Sequence, residues 1–99
     1  MNITAQEAKE IMDTEEGYII LDVRTQAEYD EKHIPGAILI PDYEIKERAE
    51  EKLTDKDQLI LVYCRSGRRS KLAAEALVEL GYTDIKEFGG IIDWSYEVE

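Results

Sequence analysis

Cysteine is nearly absent: Cys64 is the single one in a chain of 99 residues. One thiol excludes an intramolecular disulfide, fits a reducing compartment and leaves no resolving cysteine in the chain. No apolar run approaches the length of a membrane-spanning helix. The opening Met1-Asn2-Ile3-Thr4 carries neither a basic nor an apolar stretch, so no signal peptide is expected and the reading is of a soluble, cytoplasmic protein. Basic side chains are outnumbered, with 12 Lys and Arg against 23 Asp and Glu and a net charge of −11. A body so acidic repels nucleic acid and anionic membranes, and neither is an expected partner. Repeats, low-complexity tracts and linkers are also lacking. The length suits one small domain over residues 1–99, with a core large enough to stand without disulfide or metal.

Against this acidic background one stretch has the opposite charge. Four of the 12 basic residues, Arg65, Arg68, Arg69 and Lys71, follow directly on Cys64. The run Leu59-Ile60-Leu61-Val62-Tyr63 before it has the character of a buried strand, and Ala73, Ala76, Leu77 and Leu80 after it recur at helical spacing. A strand, a tight loop and a helix thus meet at a thiol. The first turn of a helix has backbone N–H groups without intrahelical partners, and its dipole adds positive potential. Successive N–H groups of a tight loop also converge into an anion-binding nest. A cysteine in that place has a lowered pKa and carries thiolate character, and the nearby cations push the same way. A lone cysteine at a strand end is ordinarily a packed, inert hydrophobe. Such a strand end does not call for three arginines, a lysine and a Gly67 whose position points to a positive φ or a close approach. A local positive site on an acidic body suits a small anionic substrate.

The remaining chain alternates strands and helices. Thr4 and Glu7 form a capping box ahead of a helix with Ala8, Ile11 and Met12 on one face. Tyr18 to Val23 is a nearly continuous apolar run, as in a strand covered on both faces. Thr25 and Glu28 form a second capping box for a helix over Gln26 to Lys32. At the strand end before it, Asp22 is placed to accept from loop N–H groups, and Arg24 is placed to pair with Glu28; both are read as structural. His33, in the turn His33-Ile34-Pro35-Gly36, is weighed as a general base for Cys64 and read instead as fixing the turn, because an ionised thiolate needs no base. Ala37 to Ile40 is a short strand closed by Pro41, and Tyr43 to Leu53 a charged helix with Ile45, Ala49 and Leu53 inward. Gln58 to Tyr63 is the strand leading to the cysteine, Ser70 to Leu80 the helix after the loop with Gly81 as its cap, and Asp84 to Phe88 a last strand. Gly89-Gly90 then reads as a turn, with a helical turn over Ile91 to Tyr96 bearing Trp94. The expected fold is α/β, a central parallel sheet with helices on both faces. In such sheets ligands bind beyond the carboxyl ends of the strands, where Cys64 lies.

These segments resemble a known family. Leu21-Asp22-Val23-Arg24, Glu28-Tyr29, His33-Ile34-Pro35-Gly36-Ala37 and Ile40-Pro41 look like the N-terminal signature of the rhodanese domain. Val62 to Ser70 looks like its active-site loop, and Ala73-Ala74, Leu80-Gly81-Tyr82 and Gly89-Gly90 with Trp94 look like its C-terminal part. The resemblance implies a single rhodanese-like domain and a thiosulfate sulfurtransferase that uses no metal and no cofactor. By that likeness Cys64 is the catalytic residue and carries a persulfide. Arg65, Ser66, Gly67, Arg68, Arg69 and Ser70 bind the substrate, a small anionic sulfur donor, with Arg69 and Arg65 favoured as the side chains that face it. The acceptor is cyanide or a thiol, on a small molecule or on a protein.

Rhodanese-like phosphatases place five residues between their cysteine and an arginine. Here four intervene between Cys64 and Arg69, and position 70 is serine, so phosphatase and arsenate-reductase chemistry are disfavoured. Family members with two domains complete the site from a second repeat. A single domain implies a more open site, suited to a large acceptor. Two other readings remain at this point: a non-catalytic rhodanese-like module for binding or regulation, and a sulfur carrier that takes persulfide from a partner enzyme and passes it on.

Overall fold

Helix and strand alternate along the computed structural model, which describes residues 2–99: α1 (Ala5–Thr14), β1 (Ile19–Asp22), α2 (Gln26–Glu31), β2 (Ile38–Leu39), α3 (Ile45–Lys52), β3 (Ile60–Cys64), α4 (Arg68–Glu79) and β4 (Ile85–Gly90). Short 3-10 turns cover Asp42–Glu44 and Ile91–Asp93. The four strands form one parallel sheet in the order β2-β1-β3-β4. The chain steps outward from β1 to β2, returns across the sheet to β3, and continues to β4. The order therefore reverses between β1 and β3, and ligands of open α/β sheets bind at the carboxyl ends of strands at such a point. Those ends are Asp22 and Cys64.

Local chemistry starts the helices. Thr4 and Thr25 each accept from the backbone N–H of Glu7 and Glu28, and each glutamate carboxylate accepts the N–H of its threonine in return. These boxes satisfy N–H groups that a helix cannot satisfy internally. At the other end of α4, the Gly81 N–H donates to the Val78 carbonyl and the Tyr82 N–H to the Leu77 carbonyl. That is the paired closure expected of a glycine cap.

Side chains alternate across the sheet with a period of two. Ile60, Val62 and Cys64 of β3 pack with Leu21, Val23, Ala49, Ala73 and Leu77 on the face covered by α3 and α4. Leu61 and Tyr63 turn to the opposite face, with Ile20, Ala8 of α1, Phe88 and Trp94. Both faces are covered, as the apolar runs of β1 and β3 require, and the Cα radius of gyration of 12.0 Å is that of one compact unit of this length.

Several boundaries differ from the sequence reading: the expected helical turn over Ile91 to Tyr96 spans only Ile91–Asp93, so that Trp94 follows it, and three further differences frame the site. The expected helix from Tyr43 divides into the 3-10 turn and α3. Helix α4 begins two residues earlier than expected, at Arg68, which brings its first turn directly onto the cysteine loop. Gly89-Gly90 is not a turn but the end of β4. The pairing of β3 with β4 shifts register between Val62 and Cys64, so that Cys64 stands opposite Gly90.

One buried network ties β1 to β3 just below the site. Asp22 is fully buried and Arg24 is 4% exposed. The Arg24 Nε and Nη2 donate to Asp22 at 3.0 and 2.7 Å, and Nη2 also donates to the Lys32 carbonyl at 2.7 Å. The expected Arg24–Glu28 pair does not form, because Asp22 holds this guanidinium. The Tyr63 hydroxyl donates to Asp22 Oδ2 at 2.7 Å and accepts from the Ile34 N–H at 3.1 Å. Burial, and then the Asp22 charge, push this phenol well above the ordinary tyrosine range. The network is a buried charge pair in which, among the described residues, no buried side-chain nitrogen or oxygen lacks a hydrogen-bond partner, the condition under which such a pair is tolerated. Tyr63→Phe should orphan the buried Ile34 N–H and cost about 1–3 kcal/mol in urea unfolding. Tyr43→Phe, at an exposed position, should leave the unfolding midpoint unchanged.

Candidate active site

Strand β3 delivers Cys64 to the switch point, and the chain turns at once into α4. Gly67 makes the turn. It stands at the N-cap with φ +110°, a left-handed value that a side chain would resist. The turn aims backbone donors at the sulfur: the Gly67 N–H donates to Cys64 Sγ at 3.0 Å. Cys64 itself is fully buried, and burial alone raises a thiol. Burial is the largest influence on this thiol and pushes it up. The Ser70 hydroxyl and the backbone N–H groups of Ser70, Gly67 and Ser66 act against it, and the net direction is below the ordinary cysteine range. The thiol is therefore activated by the loop in spite of its burial.

The loop is pressed into shape from β4. A Cβ on Gly90 would fall on the Arg65 carbonyl and the Ser66 Cα, so the two backbones touch where only glycine fits. The Ile92 N–H donates to the same Arg65 carbonyl at 3.2 Å and fastens the other side. The requirement at Gly90 is for close approach, whereas at Gly67 it is for backbone conformation.

The site residues named from sequence fall into three groups. Gly67 and Ser70 are buried at the sulfur. Arg65, Ser66 and Arg68 are exposed around it, and among the described residues neither arginine has an ion-pair partner. Arg69 is held: Nη1 and Nη2 donate to Glu28 Oε1 and Oε2 at 2.7 and 3.0 Å. This fork spans the cysteine loop and the first turn of α2, and the Arg69 charge still acts on Cys64. One of the two arginines favoured as facing the donor is thus paired with a carboxylate. Arg65 lines, with Arg24, Glu28, Ile91 and Ile92, a cavity of about 250 Å3. His33 is not at the sulfur. Its ring stacks on Tyr29 at 3.8 Å, and Nδ1 lies 2.9 Å from the Tyr29 carbonyl, so it fixes the turn as read.

Sequence reasoning missed Glu87. This carboxylate is 3% exposed on β4, with Oε2 at 2.7 Å from Ser70 Oγ and 2.6 Å from the Gly89 N–H. The signal was parity: Glu87 lies two residues from Ile85, whose side chain belongs to the face that also carries Cys64. Among the described residues no group of His, Cys, Asp and Glu could hold a metal ion.

Two outcomes follow from these contacts. Gly90→Ala must displace the Arg65–Ser66 backbone. It should cost about 1–3 kcal/mol by overpacking and slow iodoacetamide alkylation of Cys64 about tenfold or more, since a hydrogen bond to a charged group is lost. Hydrogen bonding from Arg69 lowers the Glu28 carboxyl from 4.5 to about 2. A depressed carboxyl contributes stability that is complete above about 4.5 and lost as pH falls toward about 2. Glu28→Gln should remove that acid-side loss from thermal unfolding, with an effect at neutral pH of less than about 1 kcal/mol because the pair is partly exposed.

The fold and the loop have counterparts. Residues 4–97 match the family model of the rhodanese-like domain. A thiosulfate sulfurtransferase of Escherichia coli strain K12, PspE, is 44% identical over 73 residues, covering 74% of this chain and 70% of that one. A putative sulfur carrier protein of Bacillus subtilis strain 168, YrkF, is 38% identical over 98 residues; the match covers 98% of this chain but only 52% of that protein. A solved rhodanese with anions from E. coli superposes with a TM-score of 0.77 at 39% identity, over 83% of this chain and 96% of that one. Agreement of that extent, across the same strands that seat Cys64, shows that this chain belongs to the rhodanese-like domain family.

Proposed function

We propose that this domain is a sulfurtransferase that moves a sulfane sulfur from thiosulfate or a persulfide donor to a thiol or cyanide acceptor, with Cys64 as the carrier. The observation that carries this reading is the Gly67 N–H at 3.0 Å from the Cys64 sulfur, at the head of α4. That donor and its neighbours favour an anion on a buried sulfur, and a thiolate is the nucleophile such chemistry needs.

The Cys64 thiolate attacks the outer sulfur of thiosulfate, and a new S–S bond forms. The S–S bond of the donor breaks, and its electron pair leaves with sulfite. Cys64 now carries a persulfide whose terminal sulfur bears the negative charge. An acceptor thiolate or cyanide then attacks that terminal sulfur, the protein's S–S bond breaks, and the electron pair returns to Cys64 as thiolate. Every species at the sulfur is an anion, so one set of donors serves each step. Donors fixed in advance where charge resides require no reorganisation during reaction.

The bordering arginines divide the remaining work. Arg69 is clamped by Glu28 and supplies a fixed positive charge beside the sulfur. Arg65, exposed and without an ion pair among the described residues, is free to turn aside for an incoming anion and to meet the departing sulfite. Arg68 and Lys71 add positive potential at the rim, which on a body of net charge −11 concentrates anions at this one place. The domain works as one unit over residues 1–99, without metal or cofactor, and in the cytoplasm.

The likeness to a putative sulfur carrier favours one second reading, in which the persulfide is received from a partner protein and thiosulfate is a poor donor. Intact mass spectrometry decides between them. The reduced protein is expected to gain one sulfur atom on brief treatment with thiosulfate and to lose it to cyanide, and Cys64→Ser to gain none. No gain from thiosulfate, with gain from a protein persulfide, would leave the carrier reading. No gain from either, with Cys64 still open to alkylation, would overturn both and leave a binding module.

A further inference from the structure

Glu87 has no task in the reaction as described. Of the two buried carboxylates among the described residues, Asp22 is held by Arg24 and Tyr63, but no cation meets Glu87. A buried carboxylate without a cation is costly unless hydrogen bonds or a proton relieve it. Its two partners are the Gly89 N–H and the Ser70 hydroxyl.

That hydroxyl is contested. Ser70 Oγ lies 2.7 Å from Glu87 Oε2, 3.0 Å from the Gly67 carbonyl, 3.4 Å from the Gly89 carbonyl and 3.5 Å from Cys64 Sγ. A hydroxyl has one proton to donate. The shortest contact, to the only charged acceptor among the oxygens, claims it. Ser70 Oγ then turns a lone pair to the sulfur, and the geometry is that of a thiol S–H donating to Ser70 while Ser70 donates to Glu87. Three groups follow in hydrogen-bond order: a proton source, a hydroxyl that both gives and accepts, and a buried carboxylate.

We propose that Glu87 is the proton acceptor of the Cys64 thiol, acting through the Ser70 hydroxyl. The thiol proton moves onto Ser70 Oγ as the Ser70 proton moves onto Glu87 Oε2. The S–H bond breaks and leaves its pair on sulfur, one O–H bond of Ser70 is replaced by another, and a new O–H bond forms on the carboxylate. The trio has a single negative charge before and after, first on Glu87 and then on Cys64. The reformed Ser70 hydroxyl now donates to the thiolate, beside the Gly67 N–H. When an acceptor has taken the sulfur and Cys64 returns as thiolate, the proton retraces the same path. The nucleophile is thus produced without placing two anions side by side in a buried site and without releasing a proton to solvent.

The charged surroundings are few. Glu87 borders a cavity of about 740 Å3 into which α4 and the loop before it bring Arg68, Lys71 and Glu75, while the N-terminal segment brings the uncharged Asn2 and Ile3. From β3 the facing group is Cys64. The cavity gives Glu87 its contact with solvent for slow proton exchange.

For its use in sulfur transfer the inference rests on the proposed function, but its test does not. Alkylation of Cys64 by iodoacetamide needs no sulfur donor, so a failed sulfur-gain experiment and a failed relay are told apart. Rates are measured from about pH 4 to 10, a span that brackets ordinary carboxyl and thiol values. Two coupled groups titrate in two macroscopic steps. The wild-type protein is expected to show two steps, with a plateau between them where reactivity comes from the thiolate–carboxylic acid form. Glu87→Gln should show one step and no plateau. Ser70→Ala removes the hydroxyl that serves whichever of the two groups carries the charge, and should move the acid-side step up by about one pH unit or more; an acid-side step left in place would overturn the proposal. Circular dichroism reports whether each variant is folded, and Ser70→Ala carries the test if Glu87→Gln is not. A single titration in the wild-type protein, or two steps retained in Glu87→Gln, would overturn the proposal.

Discussion

The site depends on one exchange: backbone N–H groups stand in for the water that a buried sulfur anion has lost. Cys64 is fully buried, and burial is the largest influence on its thiol. An anion there without donors would take a proton and become inert. The Ser70 hydroxyl, together with the backbone N–H groups of Ser70, Gly67 and Ser66, reverses the balance. Backbone donors suit this purpose because their positions are held by the fold and lose little freedom when an anion arrives.

Everything around the loop serves to hold those donors still. Gly90 lets β4 press against the Arg65–Ser66 backbone, and the register shift opposite Cys64 is how the strand reaches that place. The Asp22–Arg24–Tyr63 network joins the ends of the two strands that flank the switch point, and the Glu28–Arg69 fork joins the loop to α2. These ties differ in kind. The first is a packing contact that tolerates no added atom. The second is a buried charge pair with its hydrogen bonds met, costly to break because either partner alone would be an unpaired buried charge. The third is partly exposed, so its value is geometric: it fixes where a guanidinium stands beside the sulfur and contributes little to stability.

What the sequence disclosed follows from the range of each interaction. The two capping boxes and the strand–loop–helix around Cys64 are legible because each depends on residues within a few positions of one another. Gly67 is legible for the same reason: a tight turn into a helix announces a positive φ locally. Spacing points Arg24 to Glu28, but Asp22 holds its guanidinium and Glu28 is claimed by Arg69, 41 residues away, a competition that a single sequence does not show. Gly89-Gly90 has the composition of a turn, yet the second glycine is required by a backbone from another part of the chain. Glu87 lies within the expected last strand, where no neighbour in sequence marks it out. Strand parity gave its face, but only the folded contact with Ser70 gave it a partner.

The long-range contacts are also the ones that bear on chemistry. A loop of N–H donors explains how an anion is held once formed, and the proton that must leave first requires somewhere to go. In an exposed site water takes it, but here the sulfur has no exposed surface. Ser70 can satisfy Glu87 or Cys64 with its one proton, and the distances assign it to Glu87 in the resting protein. The same hydroxyl that would stabilise the thiolate is therefore withheld from it until the carboxylate is protonated. That makes the thiol's activation conditional on its own proton, a property that neither the loop nor the carboxylate has alone.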